Sequence, residues 1–195
     1  MLEKELSNWL TNQFRLYIPV TDGDAVTIAT LFSCRKVPKG KLLLKEGHYG
    51  DWWGFVYKGL LRSYSFDTKE NDCTNNFFQE GSFTCELISF NGATGSPTNV
   101  EALEETLLLC VNRQALDALF RSFPVFERFG RLLYEETFSK YKQHSLFRLR
   151  FTARERYLHF LKNEPDLIKR VPLKHIASYL SVTDTSLSRI RRNIT

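Results

Sequence analysis

Between about residues 35 and 111 the chain changes texture, and that change constrains the fold more than any other feature. Short β-prone runs (41–45, 52–58, 60–66, 75–78, 100–102 and 106–111) alternate there with clusters of Gly, Asn and Asp. Many short strands with turn signals between them predict a sandwich, jelly roll or barrel. In the run 60–66, Leu60, Tyr64 and Phe66 share one face with Arg62, while small polar residues dominate the other. That alternation predicts a half-buried strand.

Helical spacing flanks this region. Leu6, Trp9, Leu10 and Phe14 recur at i, i+3, i+4 and i+8, a short amphipathic helix. Thr21 with Asp24 three positions on predicts an N-terminus for a second helix carrying Ala25, Ile28, Leu31 and Phe32. After the β-region, Asn112 is an N-cap candidate for a helix with Leu116, Leu119, Phe120 and Phe123. Pro124 suits the first turn of a further helix reaching about Arg148, with apolar residues at Phe126, Phe129, Leu133 and Tyr141. Such a helix exceeds what a small core needs. It either packs along the β-region or pairs two copies through a narrow apolar seam, and the second reading is the one adopted here. The last segment reads as three helices: 153–163, one opened by Pro172 through Ile176, Ala177 and Leu180, and one capped by Thr183 with Leu187 and Ile190 on its buried face.

The charge is uneven. The chain of 195 residues carries +5, yet residues 148–195 alone hold 11 Lys and Arg against 4 Asp and Glu. A basic C-terminal quarter on a mildly acidic body suits a polyanion partner, or presents a solvated basic face. The other composition values (43% hydrophobic, 25% charged, 14% aromatic) are those of a globular protein with a sizeable core and argue against disorder. The longest uncharged stretch, 87–100, contains Gly92, Gly95 and Pro97 and is too short to span a bilayer, so no membrane partner is expected. The N-terminus lacks the apolar run of a secretory leader, which predicts a cytoplasmic protein. Cys34, Cys73, Cys85 and Cys110 form no CxxC pair, so reduced thiols and no metal centre are expected.

Two short helices joined by a three- to four-residue turn describe a helix-turn-helix. Ala177 is small enough for close approach of the axes, and Ile176, Leu180, Val182, Leu187 and Ile190 supply a shared core. The second helix begins Thr183-Asp184-Thr185-Ser186-Leu187-Ser188-Arg189 and adds Arg191 and Arg192. Polar residues at its start can reach base edges, and its basic residues can hold phosphates. Arg189 is the side chain type best suited to bidentate reading of guanine. The DNA-binding set read here is Lys174, Thr183, Asp184, Thr185, Ser188, Arg189, Arg191 and Arg192.

A β-rich domain, a long helix and a C-terminal helix pair, in that order, resemble the bacterial Crp/Fnr family of transcription regulators. The resemblance rests on Val37-Pro38-Lys39-Gly40, Leu44-Lys45-Glu46-Gly47 and Gly59-Leu60-Leu61-Arg62, which look like the turn glycines of that family's cyclic-nucleotide-binding jelly roll. Cys85-Glu86-Leu87 looks like the Gly-Glu-Leu that opens its phosphate-binding cassette, and residues 171–192 align with its helix-turn-helix without gaps. The resemblance implies an α+β fold: an N-terminal jelly roll with flanking helices, a long dimerisation helix and a C-terminal helix-turn-helix whose β-wing is reduced or missing. It divides the chain into a sensor domain 1–122, a dimerisation helix 123–148 and a DNA-binding domain 149–195. It also implies a homodimer on a pseudo-palindromic DNA operator, with RNA polymerase as a further partner.

The departures bear on the ligand. Cyclic-AMP-binding members follow the Gly-Glu-Leu with an Arg that grips the cyclic phosphate, an anion for which guanidinium is the natural partner. Here the matching stretch reads Gly95-Ser96-Pro97-Thr98-Asn99, Cys85 replaces the opening Gly, and the positions that contact adenine become Tyr141 and Lys142. A cyclic nucleotide is therefore not expected as a cofactor of the usual kind. Ligand candidates are Cys85, Glu86, Leu87, Ser96, Thr98 and Tyr141, with Glu86 equally readable as a remnant or a satisfied structural carboxylate. Only Cys34 lies in the first 72 residues, which excludes the family's iron–sulfur branch. Ser181 stands where the family often has a turn Gly. Asp51 with Trp52 and Trp53 either rims a pocket or anchors the sandwich. A cyclic-nucleotide sensor acting through a protein partner is the alternative function. An enzyme is not expected: no GxSxG, P-loop or HExxH is present, and a cupin-like metal site would need more histidines than His48 on the strands.

Overall fold

The computed structural model describes residues 2–92 and 94–194. They form two compact units: one comprises the described residues through Ser63 with Phe77–Glu136, the other Tyr64–Asn76 with the described residues from Thr137 on.

Eight strands among the described residues form two antiparallel sheets, and apart from residues 64–66 and 72–76, which fall in the second unit, they lie in the first unit. The strands are β1 (Ser33–Val37), β2 (Leu42–Leu44), β3 (Trp52–Lys58), β4 (Leu61–Phe66), β5 (Asp72–Phe78), β6 (Phe83–Thr84), β7 (Asn99–Ala102) and β8 (Thr106–Asn112). One sheet has the order β1-β8-β3-β6 and the other β2-β7-β4-β5. This is the expected jelly roll in an α+β chain. The helices of the unit are α1 (Leu2–Arg15), α2 (Asp22–Ala29), the single turn α3 (Leu87–Phe90), α4 (Arg113–Ser122) and the first part of α5 (Pro124–Arg150).

Strand periodicity explains the two cores. Along β3, Trp52 and Val56 point to one face and Trp53 and Phe55 to the other. The first pair joins Val37, Leu44, Leu61, Phe78, Val100, Leu108 and Cys110 in one cluster. The second pair joins Leu109 and Val111 with Leu10 and Phe14 of α1, Ile28 of α2, Leu116 and Leu119 of α4, and Phe126, Phe129 and Leu133 of α5. β3 is thus buried on both faces. Trp52 and Trp53 are 3% and 0% exposed, which makes them anchors of the sandwich. Gly59 turns β3 into β4 at φ +102, and a Cβ there would lie 2.4 Å from the Glu105 carbonyl oxygen, so only glycine fits.

The caps fall where side-chain chemistry puts them. Thr21 accepts from the Asp24 N–H, and Asn112 from the Ala115 N–H. Two strands escape the sequence pattern, and one expectation fails. β1 and β6 have no period-2 pattern and are strands through pairing alone, β1 with β8 from Ser33↔Cys110 to Val37↔Thr106 and β6 with β3. The strand around 61–66 is not half-buried by faces. Leu61, Arg62 and Ser63 are all buried and Phe66 is 53% exposed, because burial changes along the strand and not across it. Arg62 is held by Glu101, Nε to Oε1 at 2.8 Å.

The second unit holds the later part of α5, then α6 (Ala153–Asn163), α7 (Pro165–Arg170), α8 (Leu173–Tyr179) and α9 (Asp184–Arg192). Pro165, which looks like a stop, is the first residue of α7, giving four helices after α5 where three are expected. Thr152 and Glu155 form a capping box at α6.

Candidate functional site

Two regions carry the predicted site residues, one in each unit. In the first, residues 85–99 follow β6. Glu86 caps α3: one carboxylate oxygen accepts from the Ile88 N–H at 3.3 Å and the other from the Thr98 hydroxyl at 2.9 Å. Ser96 is buried, donates to the Thr98 carbonyl at 2.6 Å and accepts from the Thr98 N–H at 3.0 Å. Its backbone pairs with Gly47 N–H and His48 C=O, each at 2.8 Å. Gly95 lies so close to Gly47 that a Cβ would sit 2.3 Å from the Gly47 oxygen. Asn99 accepts from the Glu46 N–H, and Ser89 from the Gly50 N–H. Glu86, Ser96 and Thr98 are therefore brought together, but onto one another. Burial and, after it, the neighbouring Glu86 push the Cys85 thiol far up. Leu87 is partly exposed at 36%, and Tyr141 lies on α5 in the other unit, 49% exposed.

In the second unit, α8 and α9 are joined through Leu180–Thr183. Ile176, Ala177, Leu180 and Leu187 are buried between and beneath them. Ser181 adopts φ 56, the left-handed conformation its position demands, and Val182 N–H reaches back to the Ala177 carbonyl at 3.0 Å. That 6→1 bond and the left-handed residue are the Schellman ending of a helix. Thr183 caps α9 by accepting from the Ser186 N–H at 3.2 Å. Thr183, Asp184, Thr185, Ser188, Arg189, Arg191 and Arg192 are all exposed, as is Lys174 on α8. Arg156 of α6 holds the turn, donating to the Leu180 carbonyl at 2.9 Å. Sequence reasoning passed over Arg156 because its acceptors are backbone carbonyls, which leave no signature.

His144 of α5 stacks on Tyr179 of α8, ring centroids 4.7 Å apart and planes 12° from parallel. Burial, and after it Arg148, lowers the His144 pKa below its usual 6.5. The unfolded chain then binds more protons than the folded one below that value, so this stability contribution is complete above pH 6.5 and is lost as pH falls through the lowered pKa. His144→Gln flattens the fall in thermal midpoint between pH 7 and 5. An unchanged slope excludes His144 as its source.

Among the described residues no group of three or more His, Cys, Asp or Glu could hold a metal ion, and no helix is long and apolar enough to cross a membrane. The comparisons with known proteins agree with this geometry. Residues 34–123 match the family called cyclic nucleotide-binding domain. The jelly roll is of the cyclic nucleotide-binding type. Among curated proteins none matches the chain. Solved structures similar to it over most of its length include FixK2 from Bradyrhizobium japonicum (19% identity, 84% of each chain, TM-score 0.66). CLP from Xanthomonas campestris, described as a c-di-GMP-responsive global regulator, is similar at 16% identity over 89% of this chain and 91% of its own, TM-score 0.68. A protein of Eubacterium rectale assigned to the Crp/Fnr family of transcriptional regulators is similar at 15% identity over 91% and 87%, TM-score 0.68. At these identities the likeness is one of fold: a cyclic nucleotide-binding-type jelly roll followed by a long helix and C-terminal helices.

Proposed function

We propose that the protein is a homodimeric DNA-binding transcription regulator of the Crp/Fnr type. The observation that carries this reading is the α8–α9 pair: two short helices locked by a Schellman turn at Ser181, with every residue of the expected DNA-contacting set exposed. CLP, described as a global regulator, and FixK2 share the architecture. In this reading residues 1–122 are the sensor, 123–148 the dimerisation helix and 149–195 the DNA-binding domain, working in the cytoplasm beside RNA polymerase. α9 enters successive major grooves of a pseudo-palindromic site, with half-sites about 34 Å apart.

The apolar seam for the dimer is on α5. Phe138 is 71% and Leu149 81% exposed, with Tyr141 and Ser145 at i+3 and i+7 from Phe138. At about 100° per residue Phe138 and Leu149 lie about 120–180° around the helix from Phe126, Phe129 and Leu133, and Tyr141 lies between the two faces. Phe126, Phe129 and Leu133, expected in the seam, are buried in the protomer's own core instead.

The cassette region supports a sensor that does not hold a cyclic phosphate. Glu86, Ser96 and Thr98 are engaged with one another, and no Arg occupies the matching stretch. Regulation then rests on another small effector or on none. Titration calorimetry with cyclic AMP, cyclic GMP and cyclic di-GMP tests this, and saturable micromolar binding of either mononucleotide sinks it.

The DNA reading is tested with a duplex selected from a random pool by the protein. Arg189→Ala weakens binding about 10- to 100-fold and relaxes preference at one base position. Arg191→Ala or Arg192→Ala weakens all sequences alike and reduces the salt slope by about one. Unchanged affinity and preference in Arg189→Ala remove α9 from the base-reading role.

A further inference from the structure

The outer edge of a β-sheet carries backbone N–H and C=O groups that no strand pairs with. β5 is the last strand of its sheet, and residues Asp72 to Asn76 of it belong to the second unit. There the Ser178 hydroxyl of α8 accepts from the Thr74 N–H at 2.7 Å and donates to the Asp72 carbonyl at 2.8 Å. The two groups are two residues apart on one strand, the spacing at which backbone groups point to the same edge. A hydroxyl, donor and acceptor at once, fits such a pair as no aliphatic side chain can. Thr74 is 2% exposed, so these bonds sit where water does not compete.

The contact belongs to a sequence of three. Ser178 binds the edge of β5, Tyr179 stacks on His144 of α5, and the Leu180 carbonyl accepts from Arg156 of α6. Three consecutive residues at the end of α8 thus tie it to three different elements, immediately before the Ser181 turn that aims α9. Ser178 is the one whose hydroxyl bonds Asp72 and Thr74 of β5.

We infer that Ser178 is a positioning residue for DNA recognition: its hydroxyl locks α8 to the edge of β5 and so fixes the direction in which α9 presents Thr183 to Arg192. The inference rests on the DNA-binding reading of α9. Ser178 takes no part in the contact with DNA. It acts by holding the helix pair in its binding orientation, and a pair free to swing binds more weakly in proportion to the fraction correctly placed.

The test uses the full chain with Ser178→Ala and Ser178→Thr. Alanine is a strong helix former, so α8 persists in the first variant, and threonine keeps the hydroxyl in the second. Two quantities are read: hydrogen exchange at the Thr74 amide, and affinity for the duplex selected by the wild type. Ser178→Ala speeds Thr74 exchange and weakens the duplex about five- to 100-fold, the range that loss of two hydrogen bonds gives. The salt slope is unchanged, since no phosphate contact is lost. Ser178→Thr restores both quantities. Unaltered Thr74 exchange in Ser178→Ala overturns the lock itself. Faster exchange with equal or tighter DNA binding overturns the positioning role while the DNA reading stands. A wild-type protein that selects no duplex overturns the DNA reading and this inference with it.

Discussion

Phe129→Ala lowers the unfolding free energy of the jelly-roll unit by about 3–5 kcal/mol. Phe129 is fully buried on α5, and its ring meets Phe14 of α1 at 5.2 Å, Trp53 and Phe55 of β3 at 5.8 and 6.2 Å, Tyr17 at 5.4 Å and Phe126 at 5.1 Å. Truncation therefore empties the place where helix and sheet meet, and rings anchored in so many elements cannot collapse into the space. A urea titration reads the effect as a lower midpoint with an unchanged slope. A loss under 1 kcal/mol would show that the helices can repack without this ring.

Phe138→Glu separates the proposed dimer and abolishes tight operator binding. Phe138 is five residues beyond Leu133 on the same helix, about 140° around it, so that Leu133 is buried while Phe138 is 71% exposed. A carboxylate placed in an apolar seam meets its own copy across the two-fold axis, and two buried like charges are costly. The expected result is a monomer mass in sedimentation. Affinity for the selected duplex falls by at least about 100-fold, because one half-site no longer holds the other at high effective concentration. Leu149→Glu behaves alike. A dimer mass retained in both variants would place the interface elsewhere.

The parts legible in the sequence are those written in short range. Thr21, Asn112 and Thr183 announce helix starts because a cap needs only a hydroxyl or amide two or three residues from the N–H it accepts. The turn between α8 and α9 is legible at the same short range, while the special place of Ser181 comes from the resemblance, which sets it where a turn Gly often stands. β1 was illegible: four of its five residues are exposed, and only β8 beside it makes it a strand. The cassette was half legible. Glu86, Ser96 and Thr98 stand out by resemblance, but that Thr98 would fill the Glu86 carboxylate, twelve residues back, depends on how the loop closes.

The sequence by itself determined the succession of elements: a β-rich middle between helical ends, a long helix opened at Pro124, and a basic helix pair with its capped turn. Those follow from periodicity and local hydrogen bonding, which act over a few residues. Tertiary structure alone decided that the two faces of β3 serve two different cores, that Arg62 is buried beside Glu101, and that Ser178 finds its partners at Asp72 and Thr74. Each of those joins residues far apart in the sequence, and the partner is chosen by packing and by the need of buried polar groups for hydrogen bonds.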